Sequence, residues 1–214
     1  MSATFTELQP EQLIGIQPNS DNTSANGDEE GGWLQVYKWC LNNPPALRKR
    51  LYGSGLFTTS PAYSALVLHL DGDLCGKAEL HAVSQEVNPE NFDLQQASGR
   101  GAYLRAVLQN WLQAEDDENL IFSLAIEAIE TWLLAGLDTQ REYPENAQNP
   151  EAILLPLYQH LQGKRAQKKQ KKLQKNEKTY QKLSHEAAKN TAHIAASCPH
   201  FAKLCQQLQP FLSL

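Results

Sequence analysis

LVLHLDGD, Leu66 to Asp73, is the stretch on which the fold turns. Its first five residues are a short, nearly continuous apolar run, the pattern of a strand buried on both faces of a parallel sheet. The run stops abruptly at Asp71, Gly72 and Asp73. In open α/β sheets, active sites lie beyond the carboxyl ends of the strands, which is where these two aspartates fall. His69 alternates within the run and is expected to pack rather than to act.

Outward from this strand, the chain reads as α/β. Towards the N-terminus, Leu13 to Gln17 (LIGIQ) is a short strand and Pro18 to Gly32 a polar loop rich in turn formers. Trp33, Val36, Tyr37, Cys40 and Leu41 recur at helical spacing until Pro44 and Pro45. A second short helix, Ala46 to Tyr52, carries Arg48, Lys49 and Arg50. Towards the C-terminus, Tyr103, Leu104, Val107, Leu108 and Trp111 mark an amphipathic helix over Ala97 to Ala114. The acidic break AEDDEN then leads into a second buried strand, Leu120 to Ala125 (LIFSLA), and a helix over Ile126 to Leu137. Asp138 to Pro150 is a polar loop, Ala152 to Leu161 a helix, and a basic helix is expected over 164–189. A last helix follows Pro199, with Phe201, Leu204, Cys205 and Leu208 on one face. The expected division is an α/β core over 13–137 and a helical C-terminal region over 138–214.

Composition bounds what such a chain can be. Its 214 residues are 41% hydrophobic and 20% charged, enough apolar content to bury a core and too little net charge for wholesale disorder. No apolar run approaches the roughly 18–20 residues of a membrane span, and MSATFTELQPEQ lacks the features of a signal peptide, so a cytoplasmic protein with no membrane partner is expected. The formal charge of -5 conceals an asymmetry. Nine of the 19 basic residues lie between Lys164 and Lys182, opposed only by Glu177, which makes that segment +8 and the remainder -13. Polyphosphate partners are the usual reason for such an arrangement, and a solvated helix face is the plain alternative. As one helix, Lys164, Lys168, Lys171, Lys172, Lys175, Lys178 and Lys182 would form a stripe that follows a phosphate backbone; Arg165 and Lys169 add to its charge.

Two acidic groups could carry chemistry. Asp71 and Asp73 hold two carboxylates near one point, hard oxygen ligands suited to Mg²⁺ or Mn²⁺, although D-G-D is also ordinary turn chemistry. Glu127 and Glu130 follow the second strand in the apolar context AIEAIETWLLAG and would share a helix face if the helix has begun there. A carboxylate in so apolar a segment is costly unless paired or metal-bound, and the alternative is a pair of solvated helix residues. Cys40, Cys75, Cys198 and Cys205 lack metal-site spacing, and Cys198 with His200 makes half a zinc site at best. His185, His193 and His200 are loosely spaced; any of them could contact phosphate. There is no nucleophile elbow, Walker loop or dinucleotide fingerprint.

LVLHLDGD, then AIEAIETWLLAGL (Ala125 to Leu137), then a basic segment and CPHFAKLCQQL (Cys198 to Leu208) together resemble a Toprim-related family of bacterial proteins found near phage-defence genes. That family is similar to the Toprim nuclease part of the overcoming-lysogenization-defect enzymes. The resemblance spans about Ile14 to Leu208, and E-x-W-L-L-A is its most specific phrase. It implies a mostly parallel sheet flanked by helices, with Mg²⁺ (or Mn²⁺) held by Asp71, Asp73 and Glu130 for phosphodiester chemistry. Glu130, and more loosely Glu127, would take the catalytic part, with nucleic acid as the partner and a protein partner or homodimer as a further option. One departure stands out. Toprim domains open with a strand ending in a glutamate, whereas this chain enters at what corresponds to their second strand, so the first strand and its glutamate are expected to be missing. The alternative to a nuclease is therefore a catalytically degenerate subunit that binds nucleic acid or a partner protein. A third, plainer reading is a structural α/β protein whose basic helix is only solvated.

Overall fold

The computed structural model describes residues 32–52, 63–113, 117–162 and 172–212. The strand expected over Leu13 to Gln17 lies outside them, as do Lys164, Arg165, Lys168, Lys169 and Lys171. Within them the chain is mixed α/β. Helices α1 (Gly32–Asn42) and α2 (Pro45–Tyr52) precede β1 (Leu66–Asp71), a 3-10 turn (Gly72–Gly76) and the short α3 (Ala78–Ala82). Then come α4 (Ala97–Leu112), β2 (Leu120–Ala125) and α5 (Glu130–Leu137). The C-terminal part is helical: α6 (Pro150–Gln162), α7 (Glu177–Ala188), α8 (Thr191–Ser197) and α9 (Pro199–Leu208).

The two strands pair in parallel, from Leu66 opposite Leu120 to Asp71 opposite Ala125, so both end at the same level. The crossover between them carries α4, whose Tyr103, Leu104, Val107, Leu108 and Trp111 are buried against β1 and α1. Arg48 of α2, also buried, donates to the carbonyls of Asn43 (2.6 Å) and Leu112, fastening α2 to the end of α4. A second apolar cluster gathers Ala125, Trp132, Leu133 and Leu134 with Leu154, Tyr158, Leu183 and Ile194. It runs across the 137/138 division, and α9 packs directly on β2.

Three sequence expectations need correction. β1 is buried on one face only: Leu66, Leu68 and Leu70 point inward, while Val67 and His69 are exposed. The helices of the C-terminal region cover β2, which is buried throughout, and leave that face of β1 open. The helix after β2 starts at Glu130 rather than Ile126. Thr131 Oγ1 donates to the carbonyls of Ile126 (3.2 Å) and Ala128 (2.8 Å), and Glu127 is left-handed with φ 69°, so the intervening residues form a turn. Among the described residues the expected basic helix is interrupted before Glu177, where Asn176 caps α7, its side chain accepting from Thr179 N at 3.0 Å. Lys172 to Lys175 are therefore non-helical, pinned by the buried Leu173.

The contact between α5 and α7 is close enough to test. A Cβ on Gly136 would lie 2.7 Å from both the Cβ and the carbonyl oxygen of Ala187. Gly136→Ala gains up to about 1 kcal/mol of helix propensity but forces two backbones apart, at about 1–3 kcal/mol. Backbone displacement wins, and urea unfolding should show a net loss of stability.

Candidate functional site

Because β1 and β2 end together, their exit loops meet. A Cβ on Gly72 would lie 2.8 Å from Glu127 N and 2.9 Å from Ile126 Cα, an approach only glycine permits against fixed backbone. Asp73 N donates to the Glu127 carbonyl at 3.0 Å, lacing the two loops. The side chains on either side of Gly72 thus stand where the two exit loops meet.

Asp71 is held from two sides. Its Oδ1 accepts from Ile129 N (3.2 Å) and faces His69 Nε2 at 3.2 Å. His69 is in turn positioned by Ser123 Oγ, 3.1 Å from Nδ1. Contrary to the expectation of a packed residue, His69 is 41% exposed and sits beside the aspartate. Asp73 differs: its carboxylate makes no hydrogen bond or ion pair among the described residues, and the residue is exposed. Desolvation by its surroundings, reinforced by the Asp71 charge, still pushes the Asp73 carboxyl above its ordinary value, with Lys77 and Lys175 opposing.

That raised pKa has a definite sign for stability. Below the ordinary Asp range the carboxyl is protonated whether folded or unfolded and contributes nothing. Above the raised folded value the ionised carboxylate subtracts from the stability of the folded chain. Asp73→Asn should therefore raise Tm at neutral pH and leave it unchanged near pH 3, a comparison that thermal scans at the two pH values decide.

Glu130 opens α5 and is buried, 3% exposed, at the positive end of the helix dipole. Its Oε1 accepts from the Tyr180 hydroxyl of α7 and lies 4.0 Å from Lys175 Nζ. Lys175 also pairs with Glu151 of α6 at 2.5 Å. The hydrogen bond to Glu151 is the main cause that raises the Lys175 pKa, with the Glu130, Glu151 and Asp71 charges adding to it against burial. Tyr180 is likewise pushed up, by burial first and then by Glu130. Glu127 takes another partner, pairing at 2.9 Å with Arg100, which also donates to the Leu94 carbonyl at 3.2 Å.

Of the expected set, Glu130 and Lys175 are thus brought together, with Glu151 and Tyr180, which sequence spacing did not single out, while Asp71 and Asp73 stand at the end of β1. Lys172 is exposed on the same non-helical stretch as Lys175. As a donor set, Asp71 and Asp73 fit Mg²⁺, which needs only one or two carboxylates beside water and substrate phosphate. Glu130 fits it less well, since Tyr180 and Lys175 already engage it. Among the described residues no group of three His, Cys, Asp or Glu is placed to hold a metal ion. The Cys198–His200 pair does not make a zinc site: burial pushes the Cys198 thiol up to about 12, and His200 Nδ1 is bound to Glu145 Oε2 at 3.0 Å.

Glu145 is a further residue that spacing could not find. Buried at 4% exposure, it accepts from Trp132 Nε1 (3.1 Å) and His200 N (3.3 Å) through Oε1. Trp132 also stacks edge-on with Phe201 at 5.3 Å. The E-x-W-L-L-A and C-P-x-F phrases therefore meet around one carboxylate. Compared with protein-family models, curated proteins and solved structures, the chain matches none of them.

Proposed function

We propose that this chain is a Toprim-like, Mg²⁺-dependent phosphodiesterase acting on nucleic acid, in the defence setting that the family resemblance implies. The observation that carries the reading is the pair of strand-end aspartates, one oriented by Ile129 N–H and His69, the other without any hydrogen-bond partner among the described residues. Mg²⁺ or Mn²⁺ held by Asp71 and Asp73 would supply Lewis-acid polarisation and charge neutralisation at a phosphodiester. Glu130 serves here as a positioning residue that engages Tyr180 and Lys175 beside the strand ends. The cationic segment from Lys164 to Lys175, with Arg165, Lys168, Lys169, Lys171 and Lys172, would hold the phosphate backbone with little sequence preference.

Purified full-length protein should nick supercoiled plasmid DNA in Mg²⁺ or Mn²⁺ and stop when EDTA is added. Nicking that persists in Asp71→Asn sinks the mechanism. One observation favours the degenerate, binding-only alternative: Glu130, the ligand the resemblance implies, is occupied by the chain's own tyrosine and lysine. That reading predicts salt-sensitive, metal-independent DNA binding. It should survive Asp73→Asn and weaken on charge reversal of Lys168, Lys169, Lys171 and Lys172 to glutamate.

A further inference from the structure

Helices α6 and α7 both pack on α5, and the space between them is an open cleft of about 680 Å³. Tyr158 and Gln162 of α6 line one side; Lys178, Gln181, Lys182 and His185 of α7 line the other. Tyr158 closes the deeper end, buried and with its hydroxyl 3.3 Å from Thr179 Oγ1. Three basic residues and two amides therefore share one concave surface, and no carboxylate lines it among the described residues. The two acids of α7 have partners of their own. Glu177 accepts from Gln181 Nε2 at 2.8 Å, and Glu186 from Lys189 Nζ at 2.6 Å. We propose that this cleft seats the phosphate backbone of a nucleic-acid strand. The inference rests on the reading of the cationic run from Lys164 as a nucleic-acid contact, and adds to it a preformed seat on α7.

Spacing and charge both fit that ligand. Lys178, Lys182 and His185 stand at i, i+4 and i+7 of one helix, so they share a face and cover about 10 Å of its length. Phosphates of one duplex strand advance about 3.4 Å along the axis, so such a length faces about three of them. Lys182 is already positioned, its ammonium donating to the Leu161 carbonyl at 2.7 Å near the end of α6. Lys178 and His185 make no hydrogen bond or ion pair among the described residues, which leaves both for a ligand. The Gln162 and Gln181 amides add neutral donors of the kind that contact phosphate oxygens. Gln162 also stands two residues before Lys164, so the cleft and the cationic run adjoin along the chain.

The test is the salt dependence of duplex DNA binding by the full chain, read by fluorescence anisotropy of a short labelled duplex. Each lysine in direct contact with a phosphate contributes about 1 to the slope of log affinity against log salt. Lys178→Gln should lower the slope by about 1. The triple change of Lys178, Lys182 and His185 to glutamine should lower it by about 2 or more, with affinity at low salt reduced at least about tenfold. All three side chains are exposed, so the variants keep the core intact. Lys49→Gln, an exposed lysine of α2, should leave the slope unchanged. A triple variant with the wild-type slope overturns the proposal, as does an equal loss of slope in Lys49→Gln. If binding then still weakens on charge reversal of Lys168, Lys169, Lys171 and Lys172, the cationic run stands without the cleft. Absence of DNA binding by the wild-type chain removes both.

Discussion

Asp73→Asn is expected to lower metal-dependent nicking by at least about a hundredfold while the protein folds at least as well as wild type at neutral pH. Asparagine keeps the shape of the side chain and removes the charge that would hold a divalent ion. The carboxylate has no hydrogen-bond partner among the described residues, so the change leaves no donor stranded. Its raised pKa means that the charge costs folding stability, chiefly through desolvation and with help from Asp71. Activity and stability should therefore move in opposite directions, as at sites kept for function rather than for folding. Asp71→Asn should lose activity similarly without gaining stability, because Ile129 N–H and His69 both face Oδ1. Parallel nicking assays and urea unfolding on the three proteins decide this. An Asp73→Asn protein that nicks at the wild-type rate would remove the aspartate pair from the mechanism.

Glu145→Ala is expected to cost about 3 kcal/mol or more of stability, since it leaves at least two buried donors without their acceptor at about 1–3 kcal/mol each. Three donors or ring nitrogens depend on this carboxylate: the Trp132 indole, the His200 backbone N–H and His200 Nδ1. Side-chain exposure is 5% for Glu145 and 16% for His200, so little water reaches the groups left behind. Glu145→Gln retains one acceptor oxygen and should lose less, about 1–2 kcal/mol. A loss below about 1 kcal/mol in the alanine variant, read from urea midpoints at constant m, contradicts this view of how α9 is attached.

The strands were legible because their information is local. A five-residue apolar run stopped by Asp-Gly-Asp, and LIFSLA after an acidic break, place β1, β2 and the aspartates without knowledge of any partner. Helix α4 was legible too, from its apolar spacing. The start of α5 was not, because Thr131 Oγ1 and the left-handed Glu127 set it, and neither leaves a mark in the hydrophobic period. Reading β1 as buried on both faces failed because burial depends on what packs on top, and α9 chose β2. Least legible were the partners of the site glutamates. Tyr180 lies 50 residues from Glu130, and Arg100 reaches Glu127 from α4 across the strand ends. The basic stripe read as one helix from charge spacing, yet Asn176 caps α7 after Lys175 and leaves that lysine, still largely exposed, paired with Glu151.

The packing of α9 on β2 carries a consequence for how the protein is made. β2 is complete once Ala125 has been synthesised, but the helix that covers it begins at Pro199. At ribosomal speeds of about 5–20 residues per second, the strand waits several seconds for its cover. During that interval LIFSLA is an apolar, β-prone segment with one face unprotected, the kind of surface that chaperones hold and that aggregates when they do not. The nascent chain is therefore most exposed to misassembly just before Cys198 to Leu208 leaves the ribosome.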